Sequence, residues 1–258
     1  EELKCQTKEH QKKLTKVEDE VTPSASTTNE TKPFVASDES KGKAKTFRII
    51  AILSWIVAIG FEIGAILLLR KAPVSTTWLI VLIVADLIFA VIGSLLWKKS
   101  NRFDPASEKD KVKFFIQNQL GAIISVIAFL PLIILIFTNK NMNGKQKGLV
   151  GAIGIAALLI AGVVGTDFNP PSQEQYSEQT AKVDSLTGGN HVYWTKSGKS
   201  YHLYQDCSYI NTAKTTEIFE GTVAKARELK NITDLCDRCE KRALKEKGLE
   251  VNKTDSIK

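Results

Sequence analysis

Residues 46–69 read "TFRIIAILSWIVAIGFEIGAILLL", a long apolar run with few polar side chains. A hydrocarbon core about 30 Å thick is crossed by about 20 residues of α-helix, so this run is long enough to span a membrane. Similar runs follow at 77–97 and 114–137, and a shorter one, rich in Gly and Ala, lies at 149–165. A buried soluble helix bundle is the alternative, but runs of this length favour an all-α membrane domain of four transmembrane helices over 46–165.

Basic residues are distributed unevenly between the two sides of these runs. The richer side contains Lys41, Lys43, Lys45, Arg48, Lys98, Lys99, Arg102, Lys109, Lys111 and Lys113, and the poorer side contains Arg70, Lys71, Lys140, Lys145 and Lys147. Because loops rich in Lys and Arg stay in the cytoplasm, we expect an integral protein of a bacterial plasma membrane with both termini cytoplasmic. If the fourth run does not cross, the C-terminal region lies outside. This placement explains the net charge of +7 at least as well as a nucleic-acid partner does.

The segments outside the apolar runs have a different composition. Residues 1–45 alternate Lys with Asp and Glu and end in a Ser-, Thr- and Pro-rich stretch, which predicts a disordered tail. Cys5 and His10 lie in this tail, either unstructured or as half of a metal site whose remainder precedes residue 1. Residues 166–190 combine prolines, polar residues and a double glycine, which predicts a linker, and residues 249–258 predict a short tail.

Residues 191–248 predict a small α+β module. The segments "VYWT" (192–195) and "SYHL" (200–203) are alternating runs joined by a Gly-containing turn, which is typical of a β-hairpin. The segment "GTVAKARELK" predicts a helix that opens at Thr222, and "CDRCEKRALKEKG" predicts a second helix that Gly248 ends.

The module contains the pattern His-x4-Cys-x28-Cys-x2-Cys, formed by His202, Cys207, Cys236 and Cys239. Zinc takes four nitrogen and sulfur ligands tetrahedrally, and a set of three cysteines and one histidine with no open position is of the structural kind. The Cys-x-x-Cys segment leads into a helix N-terminus, whose partial positive charge favours thiolate. A module this small has a limited core, so a metal cross-link would stabilise it. We therefore expect a structural Zn²⁺ ion, although the same ligands suit iron.

Two other uses of these cysteines stay open. A disulfide would pair only two of the three and would suit an oxidising compartment, whereas the basic residues place the module in a reducing one. A redox Cys-x-x-Cys usually follows a strand in a βαβ arrangement, which this sequence does not predict.

Residues 192–240, from "VYWTKSGKSYHLYQDCSYI" to "GTVAKARELKNITDLCDRCE", resemble the small metal-binding modules related to the N-terminal zinc domain of the Ada DNA-repair protein. Similar modules are appended to some bacterial nucleases and to membrane or exported proteins. The resemblance implies that the same one histidine and three cysteines are the metal ligands. In Ada-type repair domains one cysteine ligand also accepts a methyl group, but here the first ligand position is His202, which implies an inert structural or binding role.

A nucleic-acid partner has limited support in the sequence. Basic residues concentrate around the last helix, at Arg238, Lys241, Arg242, Lys245 and Lys247. Acidic residues are interleaved with them, so a solvated helix face and a phosphate-binding surface are both consistent with the pattern.

Glu62 and Asp86 lie at similar depths in the first two apolar runs. Ionisable residues inside a bilayer are costly and often mark proton or cation handling, and two facing carboxyl groups could share one proton. Alternatively, each is protonated and hydrogen-bonds across a helix interface, where Gly60 and Gly64 would allow close approach.

No Ser-His-Asp set, phosphate-binding Gly loop or open metal site accompanies these features, so we expect no enzymatic activity. The sequence predicts a protein of the lipid bilayer that presents a structural-zinc module at the membrane surface for binding protein or nucleic acid. The alternative is a small proton- or cation-coupled transporter that uses Glu62 and Asp86.

Overall fold

The computed structural model describes residues 13–17 and 33–248, which form two compact units. Residues 38–173 form one, which we call the helical unit. The described residues before 38 and those from 174 onward together form the second unit, which we call the mixed unit. The mixed unit is therefore built from parts of the chain that precede and follow the helical unit.

The helical unit contains four helices that are long and apolar enough to cross a membrane: α1 Asp38–Leu69, α2 Thr76–Phe103, α3 Lys111–Thr138 and α4 Gly144–Gly165. They contain the four apolar runs of the sequence, so the prediction of four such helices is confirmed.

Helix α4 is longer than the fourth apolar run predicted. Asn143 caps it: its side-chain oxygen accepts from the Gln146 backbone N–H at 2.9 Å, and the Gln146 side chain accepts from the Asn143 N–H at 3.1 Å. This capping box starts the helix at a polar turn that a hydropathy pattern does not include. The 22 residues of α4 span about 33 Å, which is enough to cross a hydrocarbon core.

The helices approach one another through small residues. Ala44, Ala51, Ala58 and Ala65 recur every seven residues along α1, and each is completely buried. Such a stripe lets a neighbouring helix pack closely. The sequence predicts that Gly60 and Gly64 allow close helix approach, but neither lies at a close contact. A side chain at Gly60 would meet no atom within 4 Å, and one at Gly64 would touch only Leu82, at 3.9 Å.

The mixed unit contains two small sheets and three helices. The larger sheet has the order β1-β4-β2, with β1 parallel and β2 antiparallel to β4, and the smaller one pairs β3 with β5 in parallel. The elements are β1 Lys13–Lys16, α5 Gln173–Thr187, β2 Val192–Thr195, β3 Ser200–Tyr201, β4 Glu217–Gly221, α6 Val223–Lys230, β5 Asp234–Leu235 and α7 Asp237–Glu246.

The structure differs from the predicted disordered tail over 1–45 at two places. Lys13–Lys16 form β1, which is held by β4, and α1 already begins at Asp38. The backbone N–H groups of Lys13 and Val17 donate to Thr216 and Glu220, so long-range pairing rather than local pattern makes this strand. Cys5, His10 and the tail 249–258 lie outside the described residues.

The predicted linker over 166–190 is also corrected, because most of it is helix α5. Val183 and Leu186 of this helix belong to the same hydrophobic core as Trp194 and Ile218 of the sheet. The mixed unit therefore extends further towards the N-terminus than the predicted module, which began at residue 191.

The helices predicted after β4 are found where expected. Thr222 caps α6 by accepting from the Lys225 N–H at 3.3 Å, and Gly248 takes a left-handed conformation with φ +68° just beyond α7. The predicted hairpin is reduced to one bridge between Tyr193 and His202, because β2 forms its ladder with β4 instead.

Candidate metal centre

The imidazole of His202 and the thiols of Cys207, Cys236 and Cys239 converge in the mixed unit. One ligand atom from each lies within 4.8 Å of those of the other three, and all four residues are buried. The His202 Nδ1 and Cys239 Sγ atoms are 3.7 Å apart. A tetrahedral zinc site places nitrogen and sulfur about 3.6 Å apart and two sulfurs about 3.8 Å apart, so these residues fit one ion with a small contraction.

Main-chain hydrogen bonds fix His202 and Cys207. His202 and Tyr193 exchange both of their backbone hydrogen bonds at 2.7 Å, which fixes the imidazole at the end of β3. Cys207 follows in a turn, where its N–H donates to the Tyr204 carbonyl at 3.2 Å and its own carbonyl accepts from Asn211 at 2.8 Å. The tight turn directs the Cys207 sulfur back towards the histidine.

The other two cysteines are positioned by the junction of β5 and α7. Because β5 runs beside β3, the Cys236 N–H donates to the Tyr201 carbonyl at 2.9 Å, next to His202 in the chain. Cys236 is the N-cap of α7, and Cys239 lies in the first turn of that helix. A helix N-terminus carries a partial positive charge, and a metal binds cysteine as the thiolate.

Burial shapes the acid-base properties of the cluster. Burial raises the pKa of the Cys239 thiol, and a hydrogen bond with Cys207 raises it further, while the backbone N–H of Leu203 acts in the opposite direction. Burial lowers the pKa of His202, which favours the neutral imidazole that a metal requires. Three thiolates packed together without a cation would be costly, so the cluster is suited to a positive ion.

The three cysteines of the cluster are not joined by disulfides. A disulfide would use two sulfurs and leave the third beside the imidazole, whereas one metal ion uses all four ligand atoms. With four protein ligands, a tetrahedral ion has no position for water or substrate, and such closed sites are structural. The donor set and its burial therefore fit a metal site.

The two arginines of α7 contact acidic and aromatic neighbours. Arg242 donates to both carboxylate oxygens of Asp206, at 2.9 and 3.0 Å, and to Glu246 at 2.9 Å, and it lies 4.0 Å from the centre of the Tyr204 ring. Arg238 stacks on Tyr209 at 4.6 Å. These contacts favour a solvated, self-paired face over a phosphate-binding surface.

A buried arginine that sequence reasoning missed ties α6 to α5. Arg227 donates to the side-chain oxygens of Gln179 at 2.9 Å and Gln175 at 2.6 Å, and it lies 4.8 Å from the ring centre of Tyr176. The apolar spacing of Tyr176, Val183 and Leu186 was the available indication of helix α5.

Glu62 and Asp86 are both buried in the helical unit, 7% and 0% exposed. Their charges are close enough to interact. Neither carboxylate oxygen of Asp86 has a hydrogen-bond partner among the residues that the structure describes. The two acids are thus brought together. The alternative interpretation, in which Asp86 hydrogen-bonds across a helix interface, does not agree with the contacts among the described residues.

Comparison with protein-family models, with curated protein sequences and with solved structures finds no match for this chain. The resemblance of residues 192–240 to Ada-type modules therefore stays a prediction.

Proposed function

We propose that this chain is an integral membrane protein that presents a zinc-stabilised binding module at the membrane surface. The observation that carries the proposal is the convergence of His202, Cys207, Cys236 and Cys239 on one buried point. Four apolar helices in the same chain supply the membrane anchor.

Zinc is the metal that best suits this ligand set. A buried tetrahedron of three cysteines and one histidine is a common structural zinc site, and the resemblance to Ada-type zinc modules points the same way. The ion would cross-link the turn after β3 to the start of α7, which are far apart in sequence. Since the four protein ligands complete its coordination, the module acts by binding and not by catalysis.

The pairing of β1 with β4 supports an even number of membrane crossings. β1 precedes the four apolar helices in the chain and β4 follows them, yet the two strands are hydrogen-bonded in one sheet. Two strands can pair only on the same side of a membrane. Together with the basic residues near the start of α1 and around the α2–α3 connection, this favours both ends in the cytoplasm of a bacterial cell.

A protein is the favoured partner of the module. Arg242 of α7 forms ion pairs with Asp206 and Glu246, and Arg238 lies over the ring of Tyr209. A nucleic acid would have to break these pairs, and its phosphates would meet the neighbouring carboxylates. Nucleic-acid binding is thus the second candidate for the module.

Metal analysis of the full-length protein purified in detergent tests the proposal. We expect one zinc per chain in the wild type and in His191→Ala, because His191 is exposed and outside the cluster. Cys236→Ser and His202→Ala should lose most of the zinc. Iron in place of zinc, or an unchanged zinc content in both cluster variants, would contradict the assignment.

The partner class is tested by cross-linking the full-length protein in native membranes, with and without nuclease digestion. We expect a protein adduct that survives nuclease treatment and that weakens in His202→Ala but not in His191→Ala. An adduct that disappears after nuclease treatment would show a nucleic-acid partner and refute the preference for protein.

A further inference from the structure

Asp86 is the most isolated polar group among the described residues of the helical unit. It is completely buried, and neither of its carboxylate oxygens has a hydrogen-bond partner there. The buried residues one helical turn from it on the same face of α2 are Ile83 and Ala90, both apolar. An ionised carboxylate in such surroundings is very costly, so the group needs a cationic ligand or a proton.

Glu62 is the ionisable side chain that α1 brings towards Asp86. The Ser54 hydroxyl donates to the Phe89 carbonyl at 2.8 Å, and a side chain at Gly64 would touch Leu82 at 3.9 Å. These contacts run in opposite directions along the two helices, so α1 and α2 are antiparallel. The register places Glu62 about one helical turn, or about 5 Å along the axis, from the level of Asp86.

Besides Glu62 and Asp86, the apolar runs contain one ionisable residue, Arg48. Within 46–69 the only ionisable residue besides Arg48, near the start, is Glu62, and within 77–97 the only one is Asp86. The runs 114–137 and 149–165, which belong to the other two helices packed against α2, contain none. The two carboxyl groups therefore interact with each other and not with a buried base.

The surroundings of Asp86 favour a proton over a metal cation as the ligand. Calcium takes six to eight oxygen ligands, and magnesium retains several waters in an octahedral shell. Ile83 and Ala90, the adjacent side chains on α2, have no oxygen atom to offer such a shell, whereas a proton needs only one carboxylate oxygen. Two neighbouring carboxyl groups also bind protons as a pair, since the second charge is unfavourable beside the first.

We propose that Asp86 and Glu62 form a proton-binding site in the interior of the helical unit, which takes up and releases a proton between α1 and α2. Release of the proton places a negative charge in a closely packed apolar interface, and uptake removes it. The site thus links proton occupancy to the packing of these two helices. This inference does not depend on the metal centre, and its test does not measure zinc.

Dicyclohexylcarbodiimide tests the site in the full-length protein in lipid vesicles. This apolar reagent reacts with protonated carboxyl groups: the acid proton moves to a carbodiimide nitrogen, the oxygen adds to the central carbon, and the acyl group then shifts to nitrogen. The resulting N-acylurea keeps every atom of the reagent. We expect an adduct on Asp86 or Glu62, located by peptide mass spectrometry, whose yield falls about tenfold per pH unit above the midpoint of the pair.

Variants distinguish a proton site made of two interacting carboxyl groups from a site made of one acid alone. Glu62→Gln removes the neighbouring charge, so the midpoint for labelling Asp86 should move to lower pH. Asp104→Asn is the matched control, because Asp104 caps the end of α2 and pairs with Arg48 at 2.9 Å, and it should leave yield and midpoint unchanged. Asp86→Asn should abolish labelling at position 86. If this variant does not fold, the wild-type peptide map and the Glu62→Gln profile still decide.

Three results would overturn the proposal. Labelling of neither carboxyl group would show that the pair holds no proton at any pH tested, and a yield independent of pH would show that it does not release one. Protection by saturating Na⁺, K⁺ or Ca²⁺ at constant pH would assign the site to a metal cation.

Discussion

The Nδ1 atom of His202 lies 3.7 Å from the Sγ atom of Cys239, although 37 residues separate the two in the chain. Both residues are buried, at 5% and 1% exposure. The parallel pairing of β3 with β5 brings the start of α7 to the end of the strand that carries the histidine. The contact is therefore a property of the folded mixed unit and should be lost when that unit unfolds.

The chemistry of position 202 can be tested by two substitutions. His202→Ala removes a ligand, so we expect loss of the metal and of about 4 kcal/mol or more from the free energy of unfolding of the mixed unit. His202→Cys completes an all-cysteine set of four ligands that zinc also accepts, so it should retain the metal. Zinc content and thermal unfolding of the full-length protein measure both. Equal zinc loss in the two variants would contradict a simple ligand role.

Arg227 should contribute to stability through α5. Arg227→Met removes the hydrogen bonds to Gln175 and Gln179 and the cation–π contact with Tyr176, and we expect a loss of about 1–3 kcal/mol. Arg238→Met is the control, since Arg238 is exposed and should change stability by less than about 0.5 kcal/mol. Chemical unfolding followed by tryptophan fluorescence compares them. Similar losses in both variants would show that α5 is not held in this way.

Gly165 and Gly162 provide a matched pair in α4. A Cβ atom at Gly165 would lie 2.5 Å from the Gly121 carbonyl carbon, which is backbone and cannot move aside, whereas one at Gly162 would meet nothing within 4 Å. We expect Gly165→Ala to destabilise the helical unit by about 1–3 kcal/mol. Gly162→Ala should be neutral or stabilising by up to about 1 kcal/mol. Helix content during heating in detergent measures the difference, and equal unfolding temperatures would refute the α3–α4 contact.

Both ends of the chain should be accessible from the same side of the membrane. Epitope tags at the two termini, probed in intact cells and in inverted vesicles, should be protected together and exposed together. The reason is the pairing of β1 with β4 across the four apolar helices. Tags that become accessible on opposite sides would show an odd number of crossings and would exclude this pairing within one chain.

The apolar helices and the metal cluster could be predicted because each depends on a simple feature of the sequence. Helices such as α3 follow from the length of an apolar run. His202 and the Cys-x-x-Cys pair could be grouped since histidine and cysteine are rare here, with three histidines and four cysteines in 258 residues. Their spacing also fits the geometry of one ion.

The elements that sequence reasoning missed depend on distant partners. The segment "KLTK" of β1 has no buried apolar face and becomes a strand only because β4 offers a free edge. Helix α5 is largely polar, and its few buried residues, such as Tyr176 and Val183, show their role only when the core of the mixed unit is present. The missing hydrogen-bond partner of Asp86 is likewise a property of packing, which no local pattern records.

The position of β1 ahead of the four apolar helices affects how the chain folds during its synthesis. Thr15, whose hydroxyl donates to Glu217 at 2.6 Å, leaves the ribosome 202 residues before that partner, and all four apolar helices are translated in between. Strand β1 must therefore wait, without its neighbour, until β4 has been translated. A chain that stops before β4 would keep this segment open to proteases. Formation of the β1–β4 pair thus distinguishes chains that contain β4 from chains that stop before it.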